Sequence, residues 1–128
     1  MVRILLVDDN QLVRTSLRRL LEQHDDHWKV CGEASNGREA VASCQRLNPD
    51  LVVLDFKMPE MNGLEAAREI THRGHTPVLL VSMFLNEQLK EEARRAGVRA
   101  TCAKERVGCV VQAVEAVLRN ENYFSVNA

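Results

Sequence analysis

Apolar positions along the chain follow two rhythms that alternate with each other. Arg3–Val7, Leu51–Leu54 and Val78–Val81 are short, nearly continuous apolar runs rich in Leu and Val. Runs without polar alternation predict strands covered on both faces, as in a parallel sheet. Trp28–Ala34 and Ala100–Ala103 are weaker runs and predict two further strands. Between the runs, apolar residues recur at helical spacing. The first stripe is Leu12, Val13, Ser16, Leu17, Leu20 and Leu21; the second is Ala40, Val41 and Cys44. Leu64, Ala67 and Ile70 form the third, and Leu89, Ala93 and Ala96 the fourth. The fifth and clearest is Val107, Val110, Val111, Val114, Val117 and Leu118.

The residues between these segments support the same division. Asn36-Gly-Arg-Glu39 and Asn62-Gly-Leu-Glu65 each set a capping asparagine three residues before a glutamate, the capping-box arrangement. Gly74 and Gly97 follow the third and fourth stripes, where a left-handed residue is expected to end a helix. Five strand–helix units in one chain predict an α/β fold with right-handed crossovers. The expected architecture is a doubly wound α/β domain around a five-stranded parallel sheet.

Composition narrows the function. The 128 residues suit one domain, expected over 1–119, with 120–128 as a tail or the start of a linker. The 17 Lys and Arg against 18 Asp and Glu leave no basic excess for polyanion binding, so DNA is expected only through another domain. No apolar stretch is long enough to span a bilayer, and the first apolar run meets Asp8 and Asp9 too early for a signal peptide. The expected compartment is the cytoplasm. Cys31, Cys44, Cys102 and Cys109 lack C-x-x-C spacing and read as reduced, mostly buried thiols. His72 and His75 flank a predicted helix end, where the dipole favours histidine, and are not read as metal ligands.

In a doubly wound sheet, ligands bind beyond the carboxyl ends of the strands. The residues there are Asp8 and Asp9 after the first strand, Asp55 after the third, Ser82 after the fourth and Lys104 after the fifth. Two unit charges about 4 Å apart at an effective dielectric near 20 interact by roughly 4 kcal/mol, so three clustered carboxylates call for a cation or a proton. Mg²⁺, a hard ion that accepts carboxylates, waters and phosphate oxygens, is the natural choice. A carboxylate can attack phosphorus to give an acyl phosphate, and the transferring group needs charge neutralisation most. Lys104 can supply a point charge and Ser82 a hydroxyl.

The segments Leu5-Leu6-Val7-Asp8-Asp9, Asp55-Phe-Lys-Met-Pro-Glu-Met-Asn-Gly63 and Val81-Ser82-Met83, with Lys104, resemble the receiver domain of two-component response regulators over essentially the whole chain. The D-x-x-M-P-x-M-N-G stretch is the specific part, and the resemblance implies a flavodoxin-like (βα)5 fold with strand order 2-1-3-4-5. The resemblance implies Asp55 as phosphoacceptor, a Mg²⁺ site from Asp8, Asp9, Asp55 and the Lys57 backbone carbonyl, and Ser82 and Lys104 as partners of the phosphoryl group. It implies a signalling phosphoacceptor rather than an enzyme, with a sensor histidine kinase as donor. Gly-Glu-Ala-Ser-Asn-Gly-Arg-Glu-Ala at 32–40 resembles the LuxR/NarL-type branch, whose members carry a DNA-binding domain downstream. A naturally single-domain receiver acting through protein contacts is the alternative. The implied output and dimer surface is the fourth helix, fifth strand and fifth helix, about Asn86–Leu118, with mixed charge at Glu87, Lys90, Glu91, Glu92, Arg94 and Arg95.

Three positions depart from the family pattern. Thr101 stands three residues before Lys104, where an aromatic switch residue is usual. Glu105 follows Lys104 in place of proline, and a cis bond there would cost about 2.5–4 kcal/mol, so trans is expected. Phe84 places an aromatic two residues after Ser82, either gating the site, meeting a partner or packing beneath a loop. Ser82, Thr101 and Phe84 are therefore the switch candidates. Two rival functions fit less well. A haloacid-dehalogenase-like phosphatase would show D-x-D-x-[TV] after the first strand, and a flavin carrier would need a Gly- or Ser/Thr-rich phosphate loop where this chain has Asp-Asp-Asn-Gln.

Overall fold

A computed structural model describes residues 1–124. The elements run β1 (Val2–Val7), α1 (Gln11–His24), β2 (Trp28–Ala34), α2 (Gly37–Leu47), β3 (Leu51–Asp55), α3 (Gly63–Arg73), β4 (Val78–Ser82), α4 (Glu87–Arg95), β5 (Ala100–Ala103), α5 (Val107–Leu118) and β6 (Tyr123–Phe124). The order β2-β1-β3-β4-β5 is the predicted one, every pair is parallel, and β6 adds a sixth strand beyond β5. Of the stretch expected as tail or linker, 125–128 lies outside the described residues.

The central strands are covered on both faces, as their unbroken apolar runs require. Leu5, Val7, Val52, Leu54, Val78 and Leu80 pack toward α2, α3 and α4. Ile4, Leu6, Leu51, Val53, Leu79 and Val81 pack toward α1 and α5. The first predicted stripe is only partly a core stripe: Leu21 is buried, but Leu12 is 77% exposed and Ser16 is also exposed. The first turns of α1 lie at the open end of the sheet, where Leu12, Val13, Ser16 and Leu17 line a groove of about 250 Å³ with Val107 and Val110 of α5.

The Asn62 capping box is complete: its side chain accepts from Glu65 N–H, and the Glu65 carboxylate accepts from Asn62 N–H. At Asn36 only half of the box forms. Glu39 N–H reaches Asn36 Oδ1, but the Glu39 carboxylate is taken up by the Asn36 amide and the Ser35 hydroxyl. Gly97 adopts φ 91 as expected after a helix. Gly74 does not; it is extended (φ −164, ψ −160), because the chain continues directly toward Pro77 and β4. Asn48 takes the left-handed conformation at the end of α2 instead, and its N–H caps the Cys44 carbonyl. No peptide bond among the described residues is cis, so Lys104–Glu105 is trans.

Candidate functional site

Register brings the polar strand ends together. Asp55 is the last residue of β3 and is paired to Val81, so Ser82 follows one step beyond it on β4. Ser82 is paired to Ala103, which sets Lys104 just past the end of β5. Asp8 follows β1, its N–H held by the Ala34 carbonyl at 3.1 Å. Asp8, Asp9 and Asp55 each offer a carboxylate oxygen, and the three atoms lie within 4.8 Å of one another. All five predicted side chains thus stand around one point. Asp8, Asp55 and Ser82 are buried, while Asp9 is exposed.

Lys104 is the cation already in place. Its ammonium lies 2.9 Å from Asp8 Oδ2 and 3.2 Å from Asp55 Oδ2. Partial burial disfavours its charge, but the hydrogen bond with Asp8 and the charges of Asp55 and Asp8 outweigh it and hold its pKa above the usual lysine value. Asp55 shows the opposite balance. Burial first, and the neighbouring Asp8 charge second, push its carboxyl up to about 6, although Lys104 pulls it down. One ammonium therefore leaves the cluster short of positive charge. That shortfall, with three convergent carboxylates, fits a hard divalent cation such as Mg²⁺.

The surrounding backbone fixes these groups. Asp8 Oδ1 accepts from Asn10 N–H at 2.9 Å, and Arg14 donates to the Asp8 carbonyl at 2.6 Å. Phe56 N–H donates to Val81 at 2.8 Å, and Gly63 N–H returns to Phe56 at 2.7 Å, closing the loop after Asp55. A Cβ on Gly63 would collide with the Asp55 carbonyl and stand 2.8 Å from Phe56 Cα, so the motif's final glycine lets α3 approach the site. The site opens through a cavity of about 500 Å³ lined by Asp9, Asp55, Lys57, Ser82, Phe84 and Lys104 among others.

The remaining switch candidates occupy contrasting places. Ser82 Oγ accepts from Phe84 N–H at 3.2 Å. Phe84 is 79% exposed beside the cavity, which excludes packing beneath a loop. Thr101 is fully buried, and its hydroxyl has no hydrogen-bond partner, a feature nothing in the sequence announced. The mixed charges of α4 divide: Glu87, Glu91, Arg94 and Arg95 are exposed, whereas Lys90 turns inward. Lys90 is buried, its ammonium 3.2 Å from Glu87, and Arg94 stacks on Phe124. Among the described residues, no helix is long and apolar enough to cross a membrane.

Comparison with known proteins agrees with this geometry. The profile of the family described as "Response regulator receiver domain" matches residues 4–115. The response regulator GacA of Pseudomonas viridiflava is 35% identical over 128 residues, covering 98% of this chain and 59% of that protein. The protein-glutamate methylesterase/protein-glutamine glutaminase of Alkalilimnicola ehrlichii is 44% identical over 90 residues, 70% of this chain and 23% of its own. The chain spans about a quarter to three-fifths of the length of these curated relatives. A two-component response regulator of the LuxR family from Aurantimonas sp. SI85-9A1 superposes with a TM-score of 0.91 at 33% identity, covering 96% of this chain and 89% of that one. With the fold, the carboxylate cluster and a match along nearly all of its described length, the chain belongs to the response regulator receiver domains of two-component signalling.

Proposed function

We propose that Asp55 is the phosphoacceptor of this receiver and that its phosphorylation, from a histidine kinase, sets the state of a downstream output. The observation that carries the reading is the Lys104 ammonium bridging Asp8 and the buried, charge-strained Asp55 at the mouth of an open cavity. In the transfer, an Asp55 carboxylate oxygen forms a bond to phosphorus as the donor's P–N or P–O bond breaks, and the donor group leaves. Asp8, Asp9, Asp55 and the Lys57 carbonyl would hold Mg²⁺, which when bound neutralises phosphoryl oxygens and the carboxylate cluster. Lys104 follows the new negative charge as a point cation. Ser82, whose hydroxyl now accepts from Phe84 N–H, has a proton to give to a second phosphoryl oxygen.

The domain acts as a signalling module, its receiver unit over residues 1–119 extended at the sheet edge by β6. The 32–40 segment and the LuxR-family neighbour support a place in the LuxR/NarL-type branch, with a DNA-binding output and a cytoplasmic setting. The α4–β5–α5 face is the surface for homodimer contacts. Incubation with acetyl phosphate and Mg²⁺ tests the core of this reading by intact mass. One phosphate should be added to the wild type and none to Asp55→Asn; equal incorporation in both overturns it.

A further inference from the structure

The chain leaves α5 by a turn that sends it back along the sheet. Asn120 adopts φ 63, its N–H donates to Val117 at 2.9 Å, and Glu121 N–H donates to Ala116 at 2.9 Å. This is a Schellman ending, and it reverses the chain so that the next residues run parallel to β5. Tyr123 pairs with Ala100 and Phe124 with Thr101, and Tyr123 N–H donates to the Arg99 carbonyl at 3.0 Å. The strand is fastened on both faces. The Tyr123 hydroxyl donates to Gln112 of α5 at 2.9 Å, and the Arg94 guanidinium of α4 lies 4.1 Å from the centre of the Phe124 ring. Arg99 adds a bond to Asn122 at 2.6 Å.

Phe124 therefore sits where two elements meet, and each begins or ends at the site. β5 carries Thr101 and leads into Lys104; α4 is capped by Asn86, four residues after Ser82, and carries Arg94 in its last turn. Thr101, the register partner of Phe124 on β5, is fully buried and its hydroxyl makes no hydrogen bond.

We propose that the Tyr123–Phe124 strand is the element through which phosphorylation is read, and that phosphoryl transfer to Asp55 releases it from β5. The inference rests on the phosphoacceptor reading of Asp55. When Ser82 and Lys104 turn to a phosphoryl group, the β4–α4 loop and the end of β5 shift with them. The Arg94–Phe124 contact already lies well inside the roughly 6 Å range of a cation–π interaction, so displacement of α4 weakens it. The rest of the strand's hold is two register pairs and the bonds of Asn122 and Tyr123, few enough in a two-residue edge strand for the loss of one contact to tell. Its release uncovers the β5 edge and Thr101.

Amide exchange measured by NMR on the 128-residue chain, with acetyl phosphate and Mg²⁺ and with phosphate content followed by mass, tests this. The Tyr123 amide should exchange roughly threefold faster or more on phosphorylation, while amides of β1 and β3 stay unchanged. Phosphate on Asp55 with an unchanged or slower Tyr123 amide overturns the proposal alone. No phosphate overturns the reading of Asp55 and this proposal with it. Phe124→Ala and Arg94→Gln, neither in the site, should each speed the Tyr123 amide before phosphate is added and flatten the phosphate-dependent step. A full step in both variants overturns the role of the contact.

Discussion

Asp55→Asn replaces a buried carboxylate by an amide of nearly the same shape, and in chelator-containing buffer it should stabilise the fold. The Asp55 carboxyl rises from 3.8 to about 6 in the folded chain because burial and Asp8 disfavour its charge. A carboxyl with a raised folded pKa is a liability at high pH. Below 3.8 it is neutral in both states and costs nothing; between 3.8 and 6 the folded state holds the proton the unfolded state has lost. Stability therefore falls as pH rises through that window, and the cost is complete above it. The difference corresponds to about 3 kcal/mol, an upper figure since Lys104 loses one of its two partners in the variant but keeps Asp8 at 2.9 Å. Urea unfolding followed by fluorescence of the buried Trp28 measures it. The variant should exceed the wild type by roughly 1–3 kcal/mol at about pH 7.5, and the gap should halve near pH 5, all other titrations cancelling in the comparison. Saturating Mg²⁺ should remove most of the deficit, by binding the folded wild type alone. A gap that stays constant between the two pH values, or widens on acidification, refutes the account of Asp55 as charge-strained.

Thr101→Val removes the one buried hydroxyl without a partner among the described residues and keeps its shape, so it should raise stability by about 1–2 kcal/mol, read as a higher urea midpoint at unchanged slope. Gly63→Ala should cost roughly 1–3 kcal/mol or more, since its methyl would meet the fixed Asp55 and Phe56 backbone; a loss under about 0.5 kcal/mol in the same assay counts against the close approach. Phe84→Ala, which strips an exposed ring from the cavity rim, should shorten the phosphate lifetime by roughly 2- to 5-fold as water enters more freely, timed by mass after donor removal.

The central sheet was legible because β1, β3 and β4 are buried on both faces and so carry unbroken apolar runs, with no polar side to blur them. Where burial is one-sided, the sequence said less. Leu12 has helical spacing but lies beyond the core, at the mouth of the α1–α5 groove, and periodicity cannot tell a core stripe from a groove wall. Gly74 illustrates a related limit. A glycine permits a left-handed residue, yet the path of the next segment decides whether one is used, and here Asn48 took that conformation while Gly74 did not.

The site was readable for a topological reason, since parallel strands all point their carboxyl ends one way and five strand-end residues must then be neighbours. What could not be read was everything that depends on pairing beyond those ends. Tyr123 and Phe124 follow Arg-Asn-Glu-Asn, too short and too polar a setting to signal a strand; only the turn at Asn120 and the open edge of β5 make them one. Thr101 read as a gap where an aromatic is usual. In the structure, an aromatic does stand beside that position, but it is Phe124, borne by the neighbouring strand and held from above by Arg94. A side chain fixed to β5 can change only its rotamer, whereas one carried on a separate two-residue strand can leave altogether. If phosphorylation releases β6 as proposed, the outcome at β5 is the presence or absence of a strand, and the edge of β5 that pairs with Tyr123 and Phe124 is open only in the phosphorylated state.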